Sequence, residues 1–160
     1  MTMDFGKIPP VKRRIILPDK KNGHWNFPEQ MGIDKVGFIC AIRDLVLQRG
    51  YIGKKLYRKQ GQINKGEEYP WRYYKSSSKT MAPLFAQRPI EEFQFICLEE
   101  YATKGGLGWA ETWTMCMLEV PTTPLWYNTR IEKVTWSVRE GVTFRHKERM
   151  ERLMKWDDTF

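Results

Sequence analysis

The chain has 160 residues, a length that favours one domain over two. Hydrophobic residues make up 41% and charged residues 29%, which excludes a disordered protein, and no apolar run reaches the roughly 18–20 residues of a membrane span. The net charge of +8 is concentrated in residues 1–80, which hold 17 of the 27 Lys and Arg but only 7 of the 19 Asp and Glu, so this half favours a polyanionic partner.

Residues 1–30 predict an extended basic arm that precedes a compact domain of residues 31–160. The segment contains four of the nine prolines and no helical or alternating pattern, and the prolines interrupt the apolar stretch that a secretory signal would need. Its cations are predicted to bind a polyanion or an anionic membrane surface, and they are Lys12, Arg13, Arg14, Lys20 and Lys21. On a membrane, the aliphatic residues 15–17 would enter the interface; in an assembly, they would extend the sheet of a neighbouring subunit.

From residue 35 onward, the apolar spacing predicts one helix followed by short strands. Residues 35–49 place apolar side chains at roughly helical spacing, with Asp34 as the N-cap and Gly50 at the end. Two β-like runs follow at 51–59 and 69–74, separated by a polar turn.

The second half of the chain predicts a sheet and a C-terminal helix. Apolar residues alternate along 91–101 and 130–140, whereas both faces of 109–120 are apolar, as in a central strand. The glycine-rich segment 104–108 predicts a hairpin connection, and the charged segment 145–156 predicts a helix. The whole pattern predicts a single α+β domain with an antiparallel sheet, one helix in the N-terminal half and a C-terminal helix.

The residue types that usually carry catalysis show no recognisable constellation. His24 and His146 do not lie at ligand spacing from another His or from a Cys, so no metal site is predicted. Cys40, Cys97 and Cys116 lie inside apolar runs, which predicts reduced, buried thiols in an intracellular protein of the cytoplasm, the nucleus or a virion. A phosphate loop and a serine nucleophile elbow are both missing, so the sequence predicts no cofactor and no catalytic residue.

One tripeptide resembles part of a known signature. Tyr51-Ile52-Gly53 resembles the second half of the GIY-YIG nuclease signature. The first half is missing, and the predicted elements offer no suitably placed arginine-bearing helix and glutamate. The sequence therefore predicts that the chain is not a GIY-YIG nuclease and not an enzyme.

The segment 49–79 combines cations with aromatic rings. This mixture suits single-stranded nucleic acid, because cations follow the phosphates while flat rings stack on unpaired bases. The predicted contacts are Lys54, Lys55, Arg58, Lys59, Arg72, Lys75, Tyr57, Trp71 and Tyr73. Alternation along a strand would produce the same pattern, with the rings on one sheet face and the charges on the other, and this second interpretation stays open.

Together these features predict a non-enzymatic basic module that binds RNA or other single-stranded nucleic acid and takes no small-molecule substrate. An alternative is a matrix-like or assembly-subunit structural protein that self-associates and contacts an anionic membrane or a large complex. The general pattern of a basic arm and a compact α+β core resembles small viral proteins of that kind.

Overall fold

The computed structural model of the chain describes residues 23–26, 35–59, 67–131, 134, 137–138 and 146–155. Within these residues, four strands form one sheet, and they are β1 (Trp25–Asn26), β2 (Gly37–Asp44), β3 (Arg49–Leu56) and β4 (Phe93–Tyr101). The helices are α1 (Met81–Gln87), α2 (Lys104–Met117) and α3 (Lys147–Met154), with short 3-10 helices at Trp71–Tyr73, Ile90–Glu92 and Val120–Thr122. The predicted α+β class, the strand within 91–101 and the C-terminal helix are confirmed.

The strand order is β1-β4-β2-β3, and the sheet is mixed rather than antiparallel. β2 pairs antiparallel with both β3 and β4, whereas the short strand β1 runs parallel to β4. β1 belongs to the predicted arm, yet its Trp25 is buried in the core at 3% exposure. The rest of the predicted arm, with its five cations, lies outside the described residues.

The predicted helix at 35–49 is wrong, because this segment forms the central strand β2 and the turn that follows. Every residue of β2 is buried, since neighbouring strands cover its edges and packed side chains cover both faces. The strand ends where Asp44 Oδ1 accepts hydrogen bonds from the backbone amides of Val46 at 3.0 Å and Leu47 at 2.9 Å. Gln48 then adopts a positive φ of 54° and returns the chain into β3.

The predicted hairpin at 104–108 and strand at 109–120 are also wrong, because the glycine-rich segment begins the helix α2. Thr103 is the N-cap, and its side chain accepts a hydrogen bond from the Gly106 amide at 3.0 Å. Gly105 allows a close approach of the chain, since a Cβ there would lie 1.8 Å from the Ser137 carbonyl oxygen. Gly105 therefore serves packing against a neighbouring segment rather than a turn.

The two faces of the sheet carry different cores. One face packs aliphatic side chains of the strands, including Ile39 and Ile52, against α2 and α3, with Leu107 of α2 in the same cluster. The other face is aromatic and packs against residues around the first 3-10 helix and α1, including Phe38, Trp71 and Phe95. The run 69–74 is thus not a strand, because it folds into the 3-10 helix that buries Trp71.

Three other expectations have mixed outcomes. All three cysteines are free, and Cys40 and Cys97 are buried as predicted, but Cys116 is exposed. The described residues of the predicted strand 130–140, which are 130–131, 134 and 137–138, carry no strand. Among the described helices, none is long and apolar enough to cross a membrane.

Candidate functional site

A cleft of about 280 Å³ opens beside β3, which is the strand at one edge of the sheet. The described residues that line the cleft come from β2, β3, α2 and the segment after the first 3-10 helix, and they are Cys40, Tyr51, Gly53, Lys54, Tyr74, Lys75, Ser77 and Glu111.

Tyr51 and Gly53 lie two residues apart on β3 and therefore on the same face. The Tyr51 ring lies across the glycine, since a Cβ at Gly53 would sit 2.9 Å from Cε1 and 3.3 Å from the hydroxyl oxygen of Tyr51. Burial raises the pKa of Tyr51 to about 12, and the nearby thiol of Cys40 adds to the shift. The phenol is thus protonated at neutral pH and can donate a hydrogen bond or a proton into the cleft.

Glu111 brings a carboxylate into the cleft from α2. Its side chain is 5% exposed, and its Oε1 accepts a hydrogen bond from Lys54 Nζ at 2.8 Å. This charge-assisted bond compensates a carboxylate that is otherwise removed from water. Of the described residues that line the cleft, Glu111 is the one carboxylate.

Lysine side chains give the described lining of the cleft a positive balance. Lys54 and Lys75 line it directly, against the single carboxylate of Glu111. Lys55 is placed by two rings, with its Nζ 4.2 Å from the centroid of Tyr69 and 3.9 Å from that of Tyr74. Burial lowers the pKa of Lys55. A cleft of this charge attracts an anionic ligand.

The outer edge of β3 is held by the segment that follows the third 3-10 helix. Asn128 bonds both backbone groups of Ile52, accepting from its amide at 2.9 Å and donating to its carbonyl at 2.7 Å. Further along, the Gly50 amide donates to the Leu125 carbonyl, and the Tyr127 amide donates to the Gly50 carbonyl, both at 2.7 Å. These bonds fix the backbone on either side of Tyr51 and directly before Gly53.

A buried ion pair supports the same region from the hairpin between β2 and β3. Asp44 accepts from Arg88 Nη1 at 2.6 Å, from Arg88 Nη2 at 2.7 Å and from the Tyr127 hydroxyl at 2.6 Å. Burial opposes ionisation of Asp44, but the hydrogen bonds from Arg88 and its other donors outweigh it and hold its pKa below the usual value. Arg88, the residue after α1, is therefore engaged with Asp44.

The predicted nucleic-acid contacts are dispersed over the structure. Lys54 and Lys75 line the cleft, Lys55 lies beside Tyr69 and Tyr74, and Tyr73 is 59% exposed. The remaining cations lie near two glutamates: Lys59 pairs with Glu67 at 2.6 Å, Arg72 pairs with Glu68 at 2.6 Å, and Arg58 forms an isolated backbone bridge with Glu68.

Two predicted stacking residues are corrected by the structure. Tyr57 and Trp71 are 8% and 1% exposed, and their ring centroids lie 5.0 Å apart. The Tyr57 hydroxyl donates to Glu100 Oε1 at 2.5 Å, and Trp71 Nε1 donates to Glu68 Oε1 at 2.9 Å. No base can reach rings buried in this way, so these two rings belong to the aromatic core and not to a stacking surface.

A comparison of the chain with protein families finds one family that matches most of it. The model described as "Putative endonuclease segE, GIY-YIG domain" matches residues 12–131, which is 120 of the 160 residues. The chain belongs to this GIY-YIG family. No curated protein and no solved structure matches the chain.

Membership of the GIY-YIG family overturns several predictions made from the sequence. The exclusion of the GIY-YIG signature was wrong, and so were the non-enzymatic module and its matrix-like alternative, because the family description points to a nuclease. Of the predicted partners, nucleic acid agrees with the family, while RNA and membrane receive no support. Tyr51-Ile52-Gly53 lies on β3, and the strand paired with it opens with Gly37-Phe38-Ile39-Cys40. Compared with the Gly-Ile-Tyr half of the signature, this opening has a glycine and an isoleucine, but Cys40 follows the isoleucine where the signature has tyrosine. Cys40 pairs with Gly53 of β3.

Sequence reasoning missed two residues that build the cleft and the edge of β3, Glu111 and Asn128. Glu111 was assigned to a strand, although Leu107, Ala110, Thr114 and Leu118 repeat at the three- and four-residue spacing of a helix. Asn128 gives no local signal, because its role depends on a hydrogen-bond partner 76 residues away in the chain. The described cations that line the cleft are lysines, Lys54 and Lys75.

Proposed function

We propose that the chain is a DNA endonuclease that hydrolyses a phosphodiester bond in the cleft beside β3. The observation that carries the proposal is the meeting of a buried carboxylate, Glu111, with Tyr51 and two lysines in one cleft of a GIY-YIG domain. Phosphodiester hydrolysis needs an oriented water, a proton donor for the leaving oxygen, and positive charge for the phosphoryl oxygens.

The residues of the cleft supply these requirements from different elements. Lys54 and Lys75 would contact the phosphoryl oxygens, where negative charge builds up in the transition state. The Tyr51 phenol is a donor at neutral pH and can hydrogen bond to a phosphoryl or leaving oxygen. Glu111 is an acceptor in the same cleft and can orient an attacking water through one of its oxygens.

The donor set of the cleft also fits Mg²⁺. This ion prefers oxygen ligands, and in phosphoryl-transfer sites it uses one or two carboxylates, waters and the substrate phosphate. Glu111 would hold it as the one carboxylate of the described lining, with waters and the substrate phosphate as the other ligands. The described residues contain no group of three or more His, Cys, Asp or Glu side chains that could hold a metal ion without them. When bound there, the ion would supply electrostatic stabilisation of the phosphoryl oxygens.

The proposal is tested with purified full-length protein on supercoiled plasmid DNA in the presence of Mg²⁺. We expect cleavage by the natural chain and a loss of about 100-fold or more in Glu111→Gln, since the amide keeps the shape of the side chain but removes its charge. Glu151→Gln is the matched control, because it removes the same charge from an exposed residue of α3 outside the cleft.

Two outcomes would contradict this assignment. Wild-type protein that leaves DNA intact under these conditions would refute the nuclease function. Equal cleavage rates for Glu111→Gln and Glu151→Gln would show that the cleft carboxylate takes no part in the reaction. The thermal midpoint of each variant is measured alongside, so that a folding defect is not mistaken for a catalytic one.

A further inference from the structure

A second and larger groove lies next to the cleft that holds Glu111. It has a volume of about 440 Å³, and it shares Tyr51 and Ser77 with the first cleft. Its described lining comes from β3, the segment before α1 and the segment of Asn128, and it consists of Tyr51, Ser77, Ser78, Lys79, Thr80, Tyr127, Asn128, Thr129 and Arg130. The two spaces therefore adjoin along the edge of β3.

The chemistry of this groove is that of a surface for a sugar-phosphate chain. Hydroxyl groups and two cations, Lys79 and Arg130, line it, and none of its described lining residues is acidic. Most protein contacts to DNA go to phosphate and sugar oxygens, and they come from Arg, Lys, Ser, Thr, Asn and Tyr side chains. The lining of the groove contains these residue types only.

Hydrogen bonds hold both walls of the groove in place. On one side, the Ser76 hydroxyl accepts from the Ser78 amide at 3.0 Å, and the Ser78 hydroxyl accepts from the Thr80 amide at 3.2 Å. On the other side, Asn128 is bonded to β3, and the Tyr127 hydroxyl donates to the buried Asp44. A preformed groove loses little conformational entropy when it binds a ligand.

We propose that this groove binds the DNA backbone next to the phosphate that is cleaved. The proposal rests on the nuclease function proposed above and adds a backbone subsite to it. A strand that enters the Glu111 cleft passes Tyr51 and Ser77 and continues between Lys79 and Arg130. Contacts to the backbone leave base sequence unread, so the groove contributes affinity and position rather than sequence preference.

The test measures binding of a fluorescent 30-base-pair DNA duplex in the Glu111→Gln background, so that cleavage does not interfere. We expect Lys79→Gln to weaken binding by about fivefold at every duplex sequence and to lower the slope of log K against log salt by about 0.9. Arg130→Gln is expected to act in the same way. Lys147→Gln is the matched control, because it removes the same charge from an exposed residue that lines neither space.

A neutral variant tests the hydroxyl groups separately. Thr129→Val keeps the shape of the side chain and the charge of the protein, and we expect weaker binding with an unchanged salt slope.

In the chain with intact Glu111, Lys79→Gln should raise KM and leave kcat nearly unchanged, because the contact is made equally in the ground and transition states.

Equal weakening by Lys79→Gln and Lys147→Gln would overturn the proposal, since it would show that DNA responds to net charge alone. Unchanged binding in both groove variants would overturn it as well. These binding results are independent of whether the natural chain cleaves DNA. A failure of the nuclease assay with intact groove effects would therefore refute the catalytic assignment and not the subsite.

Discussion

Replacement of Asn128 tests whether its two hydrogen bonds to the Ile52 backbone, called here the Asn128 clamp, shape the cleft. Asn128→Ala removes two hydrogen bonds, the amide bond at 2.9 Å and the carbonyl bond at 2.7 Å. Each such bond contributes about 0.5–1.5 kcal/mol net, so the variant should lose about 1–3 kcal/mol of unfolding free energy. For a chain of this size, that corresponds to a fall in Tm of roughly 2–4 °C per kcal/mol.

The Asp side chain has nearly the same shape as Asn, so Asn128→Asp tests the two hydrogen bonds separately. A carboxylate still accepts from the Ile52 amide but faces the Ile52 carbonyl oxygen, where two acceptors repel each other. The native state therefore favours the protonated form, so the pKa of the new carboxyl lies above its unfolded value of about 3.9. Protonation restores a donor, and the deficit of this variant relative to the natural chain should shrink as pH falls through that raised pKa.

The assay is urea unfolding of the natural chain, Asn128→Ala and Asn128→Asp at pH 7.5 and at pH 4.5. We expect Asn128→Asp to be the least stable at pH 7.5 and to regain stability relative to Asn128→Ala at pH 4.5. DNA cleavage at pH 7.5 should fall in both variants, because Tyr51 and Gly53 flank the clamped residue. A constant difference between the two variants at both pH values would refute the assigned contacts of the side-chain amide.

Two further predictions concern the cleft glycine and a buried histidine. A Cβ at Gly53 would lie 2.9 Å from the Tyr51 ring, so Gly53→Ala should displace the ring and lower kcat by about tenfold or more, with little change in Tm. Gly108→Ala is the control, because a Cβ there has nothing within 4 Å. It should leave cleavage unchanged and raise the free energy of unfolding by about 0.5–1 kcal/mol. Burial lowers the pKa of His24 from 6.5 to about 4. Below pH 6.5 the unfolded chain therefore takes up a proton that the native chain does not. The free energy of unfolding should fall by up to about 3 kcal/mol between pH 6.5 and 4. His24→Gln should flatten this decline in urea titrations, and an equal pH dependence in both proteins would show that His24 does not cause it.

The strands and helices show which sequence patterns specify one structure. The segment 91–101 was predicted correctly, because its alternation matches a strand with one face in each core. The segment 35–49 was not, since β2 is buried on both faces and its continuous apolar run resembles a helix as closely as a strand. The α2 segment was misassigned because a run of glycines usually marks a turn, whereas here Gly105 makes room for a neighbouring chain segment.

The amino-acid sequence by itself determined the α+β class and the basic N-terminal half, because composition, charge and local periodicity are properties of the chain alone. Its tripeptide Tyr51-Ile52-Gly53 was visible for the same reason. Only the tertiary structure decided that Glu111 meets this tripeptide, that Asn128 clamps it, and that Tyr57 and Trp71 are buried. Those relations join residues far apart in the chain, and the pairing of β2 with β3 and the packing of α2 on the sheet bring them together.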